Sequence, residues 1–287
     1  MAAACAPHPL PEGVIADICA AAGPFLAKFV HRAGRARALA TDDVAFPVWE
    51  LRTAEQVDWA LGLGCPEPLM CATLAAAGRL DALRRAHEMG CPWDESTCSN
   101  AALGGHLGLL QWVRSEGCAW DALTCSYAAR GGHLDVLRWA RSEGCPWDSD
   151  TCTSAALAGH LDVLKWASGA GCPWEERICA YAAYGGHLDT LIWLRSADCP
   201  WDARACHLAA RGGQLGTLQW LRSAGCPWDA ETCTSAVRGG HLGVLQWLRS
   251  EGCPWDAATG YHAARCETPD VQAWVRQGGC PCACEVM

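Results

Sequence analysis

An all-α solenoid of stacked helix-turn-helix units is the fold class this sequence predicts, and three observations carry it. The tetrad C-P-W-D, or a near variant, begins at Cys91, Cys118, Cys145, Cys172, Cys199, Cys226 and Cys253, each 27 residues after the last. Each period contains two short helical patterns separated by a glycine pair, and no stretch alternates as a strand does. A helix pair of this size cannot bury its own apolar face, so its neighbours must stack on it.

The unit parses in order. Cys-Pro turns the chain. The Asp of the tetrad, Asp148 for example, is a good N-cap because its carboxylate accepts from exposed backbone N–H groups. The following segment, through Ala155 and Ala156, favours helix. Gly-Gly or Ala-Gly breaks it, since glycine tolerates positive φ. A second helix follows, such as His133–Ser142, with Leu134, Leu137 and Ala140 expected on one stripe. Gly144 ends it as a C-cap. The variants are CAWD at Cys118 and CPWE at Cys172. A degraded copy runs from Cys65 to Gly90 with Arg85 where the late Trp belongs, and AEQVDWALGLGC (54–65) reads as half a copy before it. The copy from Cys253 is eroded, with Gly260 in place of its second Cys. The organisation expected is an N-terminal helical region over 1–48, repeats over 53–279 and a tail over 280–287.

Composition excludes several function classes. The net charge of −9 argues against a general nucleic-acid binder, which needs a basic face. No apolar run reaches the ~20 residues that span a bilayer. The opening MAAACAPHPLPEG lacks the basic-then-apolar order of a secretory leader. Only Lys28 and Lys165 are lysines. No nucleophile elbow, P-loop or dinucleotide fingerprint is present, so neither an enzyme nor a cofactor is expected.

The unit T-C-x-x-A-A-x-x-G-H-L-x-V-L-x-W-L resembles the ankyrin repeat, whose period is about 33. The resemblance covers roughly Thr53 to Gly279. The missing residues fall where that family places its projecting β-hairpin, and the short form is similar to repeats of large DNA viruses and some protists. The resemblance implies a protein-binding module whose first helices line the binding face.

Cysteine, tryptophan and histidine recur in columns. Cys145, Cys152 and His160 carry zinc-like atoms, but Cys-x6-Cys is not a usual finger spacing. Gln214 replaces the His of one unit, so packing is the preferred reading and a Cys/His metal array a minor alternative. Equivalent cysteines in stacked helices sit about 8–10 Å apart, too far for the ~7 Å limit of a disulfide. A reducing cytoplasm, the host's for a viral protein, is the expected location. The Trp columns (Trp93 to Trp255, and Trp59 with Trp112 to Trp274) are expected to pack where the hairpin is lost. The His column (His106, His133, His160, His187, His241) is expected to cap the local turn.

Recognition is expected at variable positions of the first helix. One column reads Asn100, Tyr127, Ser154, Tyr181, Leu208 and Ser235. The column three residues on reads Leu103, Arg130, Leu157, Tyr184, Arg211 and Arg238. The two are neighbours on a helix, and Tyr and Arg suit interfaces.

The ends carry two further patterns. Residues 10–40 resemble a diverged F-box, with Leu10, Pro11, Val14, Ile15 and Ile18 as the implied contacts for the adaptor subunit of a cullin-type ubiquitin ligase. AAAG stands where that motif is usually bulky, and a plain capping region is the rival reading. The final Cys284-Glu-Val-Met fits a farnesylation pattern, with Cys280 and Cys282 as further lipid candidates, or it is an unfinished repeat. A membrane enters only if Cys284 is prenylated. Two roles stay open: a substrate adaptor of a ubiquitin ligase, or a free-standing scaffold or decoy that sequesters a protein partner.

Overall fold

The computed structural model describes residues 57–58, 70–175, 177–278 and 280. The chain divides into two compact units, residues 1–93 and 94–287. In the first, α1 (Met70–Ala76) packs on α2 (Leu80–Glu88). Arg85, which replaces the late Trp, ion-pairs with Asp58 at 2.7 Å.

The second unit is a stack of helix pairs: α3 (Glu95–Leu103) with α4 (Leu107–Ser115), α5 (Ala122–Gly131) with α6 (Leu134–Ser142), α7 (Ser149–Ala158) with α8 (Leu161–Gly169), α9 (Ile178–Gly185) with α10 (Leu188–Ser196), α11 (Ala203–Arg211) with α12 (Leu215–Ser223), α13 (Ala230–Gly239) with α14 (Leu242–Ser250), and α15 (Ala257–Arg265) with α16 (Pro269–Gln277). Each first helix from α5 to α13 packs between the first helices of its neighbours, and each first helix of the stack has its own second helix against it. Among the described residues there is no strand. This is the expected all-α repeat with ankyrin-like stacking.

Small side chains let the first helices approach. Ala128, Ala129, Ala155 and Ala156 have no exposed surface, and the same holds for Cys125 and Cys152 between them. Each second helix from α4 to α14 contributes a buried Leu, such as Leu110, Leu137 or Leu164, and α16 contributes Val271 and Val275 instead. The buried stripe of α6 is Val136, Leu137 and Ala140; Leu134, expected on it, is only half-buried. Leu134 is the first residue of the helix, where the side chain points back over the preceding turn.

The caps follow the sequence. Asp94, Asp121, Asp148, Asp202 and Asp229 each accept from the N–H two residues on, at 2.9–3.0 Å. The CPWE unit departs from this: α9 begins only at Ile178, and its N-cap Arg177 makes no side-chain bond. Glu is not among the short side chains that reach the N2 or N3 amide. At the other end, Gly144 takes φ 81° and the next N–H, Cys145, closes onto Ala140 O at 2.9 Å. Asp198 stands at this position in one unit, with φ 55°.

The glycine pair has a second reason beyond its turn. A Cβ on Gly159 would lie 2.4 Å from the ring of His187, one unit later. That ring's Nε2 bonds Leu157 O at 3.0 Å, 30 residues back. His133, His160 and His241 repeat the bond to Leu103 O, Arg130 O and Arg211 O, and Gln214 reproduces it with Tyr184 O at 3.3 Å. The histidines are therefore caps, but of the preceding unit's first helix. At the helix each one begins, its side chain makes no capping bond.

Two outcomes follow for thermal melts of the full chain. Asp198→Gly raises the midpoint, by roughly 0.5–1 kcal/mol of stability, because it removes a left-handed non-glycine at a site where the equivalent glycines have open space. His187→Ala lowers it by about 1 kcal/mol, whereas His187→Gln keeps most of the bond, as Gln214 does.

Candidate functional site

The stack offers three side-chain systems to test as sites. The first is aromatic. The two tryptophans of a unit meet edge to face, with Trp120–Trp139 at 5.7 Å and Trp147–Trp166 at 5.9 Å between centroids. An Arg of the preceding unit lies over the first of them: Arg114 over Trp120 at 4.1 Å, Arg141 over Trp147 at 4.2 Å, Arg195 over Trp201 at 4.3 Å. The same arginines donate to the carbonyls of Cys118, Cys145 and Cys199. The tryptophans are half-buried, so one face packs and the other is closed by a guanidinium. This bridge makes the column a structural device. Ser168 holds the Arg position before Trp174, and that Trp pair is tilted at 37°.

The second system is the thiols. Cys118, Cys145, Cys172, Cys226 and Cys253 each donate Sγ–H to the carbonyl of an Asp 24 residues back, at 3.2–3.4 Å. The nearest thiol is not the equivalent cysteine considered from sequence. It is the first Cys of the next unit: Cys179 donates to Cys199 at 3.3 Å. The bond from Cys125, with help from the Arg141 charge and against burial, holds the Cys145 thiol below its ordinary range; the same bond and burial push Cys125 above it. All described cysteines are free thiols. Cys145 and His160 spend their polar atoms on separate carbonyls, Asp121 O and Arg130 O, and no group of three or more His, Cys, Asp or Glu gathers as ligands among the described residues. Cys280 is 7% exposed and donates to Asp256 O, so the lipid reading of that residue does not fit.

The third system is the outer face of the first helices. Tyr184, Arg130, Arg211 and Arg238 are exposed; Leu103, Leu157, Tyr127, Ser154, Tyr181 and Leu208 are half-buried. Asn100 turns its amide onto Ser96 O at 2.8 Å, and Ser235 is only 4% exposed, so neither offers much to a partner. Tyr181, Leu208, Arg211, Ser235 and Arg238 come together around one open cavity of about 310 Å³. Arg177, Arg204, His207 and Glu231 complete its wall, and sequence reasoning missed them. Arg177, Arg204 and Glu231 lie four residues before Tyr181, Leu208 and Ser235, one helical turn away, which is the signal that finds them.

Leu10, Pro11, Val14, Ile15, Ile18 and Cys284 lie outside the described residues. No described helix is long and apolar enough to cross a membrane. No family model matches the chain, and no curated protein matches it. Among solved structures, the crystal structure of the human ASB11 ankyrin repeat domain is similar at 16% identity and a TM-score of 0.45, over 64% of this chain and 98% of that one.

The aromatic bridge generates one prediction. A double-mutant cycle of Arg141→Ala and Trp147→Ala, read by thermal or denaturant unfolding, gives a coupling of about 0.5–2 kcal/mol in favour of the pair. A coupling of zero would reduce the contact to a crystal-like accident of side-chain placement.

Proposed function

We propose that this chain is a non-enzymatic protein-binding array whose first-helix face holds a protein partner. The observation that carries this is the cavity where Tyr181, Leu208, Arg211 and Arg238 converge, whose lining includes no tryptophan or cysteine of the repeat. The tryptophans, cysteines and histidines of the repeat are occupied by packing and by backbone carbonyls. What varies between units lies on the first helices, beside fixed Ala and Cys positions that build the stack. The ankyrin-like arrangement supports the same reading, because arrays of this kind are generally protein-binding modules.

The finer role follows from the N-terminal resemblance. With residues 10–40 docking a cullin-ligase adaptor subunit, the repeats would present the substrate; without it, the same face serves a scaffold or a decoy. In full-length protein purified from eukaryotic cells, changing Tyr127, Arg130, Tyr181 and Tyr184 to Ala together is expected to cost a captured partner at least about tenfold in recovery, with the melting curve retained. An unchanged set of partners would sink the reading. Val14→Asp with Ile15→Asp removes ligase adaptor from the purification if the F-box reading holds, and leaves repeat-bound partners in place.

A further inference from the structure

The chain carries 31 acidic and 22 basic residues, yet its first-helix face turns basic over the last units. One row across successive helices reads Tyr184, Arg211, Arg238, Arg265, and a parallel row reads Arg177, Arg204, Glu231. In the earlier units the second row reads Ser96, Leu123, Asp150, so the basic strip is confined to the C-terminal part. Between the rows lie Tyr181 and Leu208. A second cavity of about 350 Å³ continues past Arg238 to Arg265 and His262.

The acids nearby engage only part of the strip, Arg204 and Arg238. Asp202 and Asp229 are N-caps whose Oδ1 accepts from the backbone; each also meets a side chain, Arg204 and His207, at 2.7 Å. Glu231 pairs with Arg238 at 2.6 Å across the half-exposed groove, and Glu267 lines its far end. Arg177 and Arg211 have no carboxylate partner among the described residues, and Arg265 lies over the Tyr261 ring and gives one of its five N–H donors to that hydroxyl. Arg238 also donates to His262 at 2.8 Å, so its fork is already oriented along the strip.

We propose that this strip binds a carboxylate-rich extended segment of a protein partner, a deepening that rests on the protein-binding reading above. The spacing supports it. Stacked helices step by about 8–10 Å, and a chain extended as a polyproline II helix advances about 9 Å in three residues, one full turn that returns its side chain to the same face. Acidic side chains at every third position therefore meet Arg211, Arg238 and Arg265 in turn. Tyr181 and Leu208 give the backbone of that segment an apolar floor. Glu231 already occupies one such carboxylate position from within the molecule, and an incoming acid displaces it from Arg238.

The test uses full-length protein and a fluorescein-labelled twelve-residue peptide with Glu at every third position among Gly and Ser, read by fluorescence polarisation. Binding is expected, weakening as salt rises from about 0.01 to 0.15 M, over which the Debye length shortens from about 30 to 8 Å. Arg211→Glu with Arg238→Glu is expected to weaken it at least about tenfold. Arg276→Glu, on exposed α16 away from the strip, leaves it unchanged. Glu231→Gln tightens it several-fold, a gain that a folding defect does not mimic. No binding up to millimolar peptide, indifference to the double reversal, or stronger binding of a single-stranded RNA or of a phosphoserine peptide of equal charge each overturns the proposal. A partner lost from the four-alanine variant but not displaced by the acidic peptide sinks this assignment alone and leaves protein binding standing.

Discussion

The stack depends on side chains that reach back into the backbone of the preceding unit. Every α-helix ends with carbonyls that have no partner inside it. Here the closing bond comes from the next copy, Nε2 of His187 on Leu157 O, and Sγ of Cys172 adds a second reach-back bond at the other end of that helix, on the carbonyl of its N-cap Asp148. The imidazole needs a seat without a Cβ, which Gly159 of the preceding unit and Gly185 supply to His187. The thiol needs a small buried slot beside the N-cap, which is why the turn begins with cysteine. Motif, turn and packing are thus one constraint seen at three levels.

The four-residue turn between copies sets what holds the opposite side. An indole pair with a guanidinium over one face covers apolar surface and at the same time satisfies a turn carbonyl. A longer hairpin would do this with its own backbone; a four-residue turn has none to spare. The outcome is a scaffold side rich in aromatic surface but fully employed, and a first-helix side left to vary.

Much of this was legible in the sequence. The period, the N-cap Asp and the C-cap Gly are local signals, and the helices start and stop where those residues stand. The CPWE unit shows the limit: one extra methylene in Glu175 removes the cap, and the start of α9 slips to Ile178. What stayed hidden was everything that passes from one unit to the next. His160 looked like a local cap because nothing in the string says that its ring points 30 residues back. Cys179 and Cys199 belong to different columns, so aligning equivalent cysteines hides their contact. On the candidate face, the Tyr and Arg columns were readable from variability alone. Arg177 and Arg204 were not, because a helical turn had to be laid over the alignment before they joined the same groove.

The reach-back bonds also bear on how such a chain grows. In the stack that begins at Asp94, most copies supply the bonds that finish the one before them, with Gln214 for the imidazole and Cys199 turned to Pro200 O as departures, so the joint between copies is nearly the same wherever the sequence is cut. A duplication or deletion of 27 residues, begun at any point in the period, restores every joint; one of 26 or 28 breaks both the imidazole and the thiol contacts at once. Recombination can therefore lengthen or shorten the array without finding a special boundary, and Cys280, bonded to Asp256 O, marks where one more copy would attach.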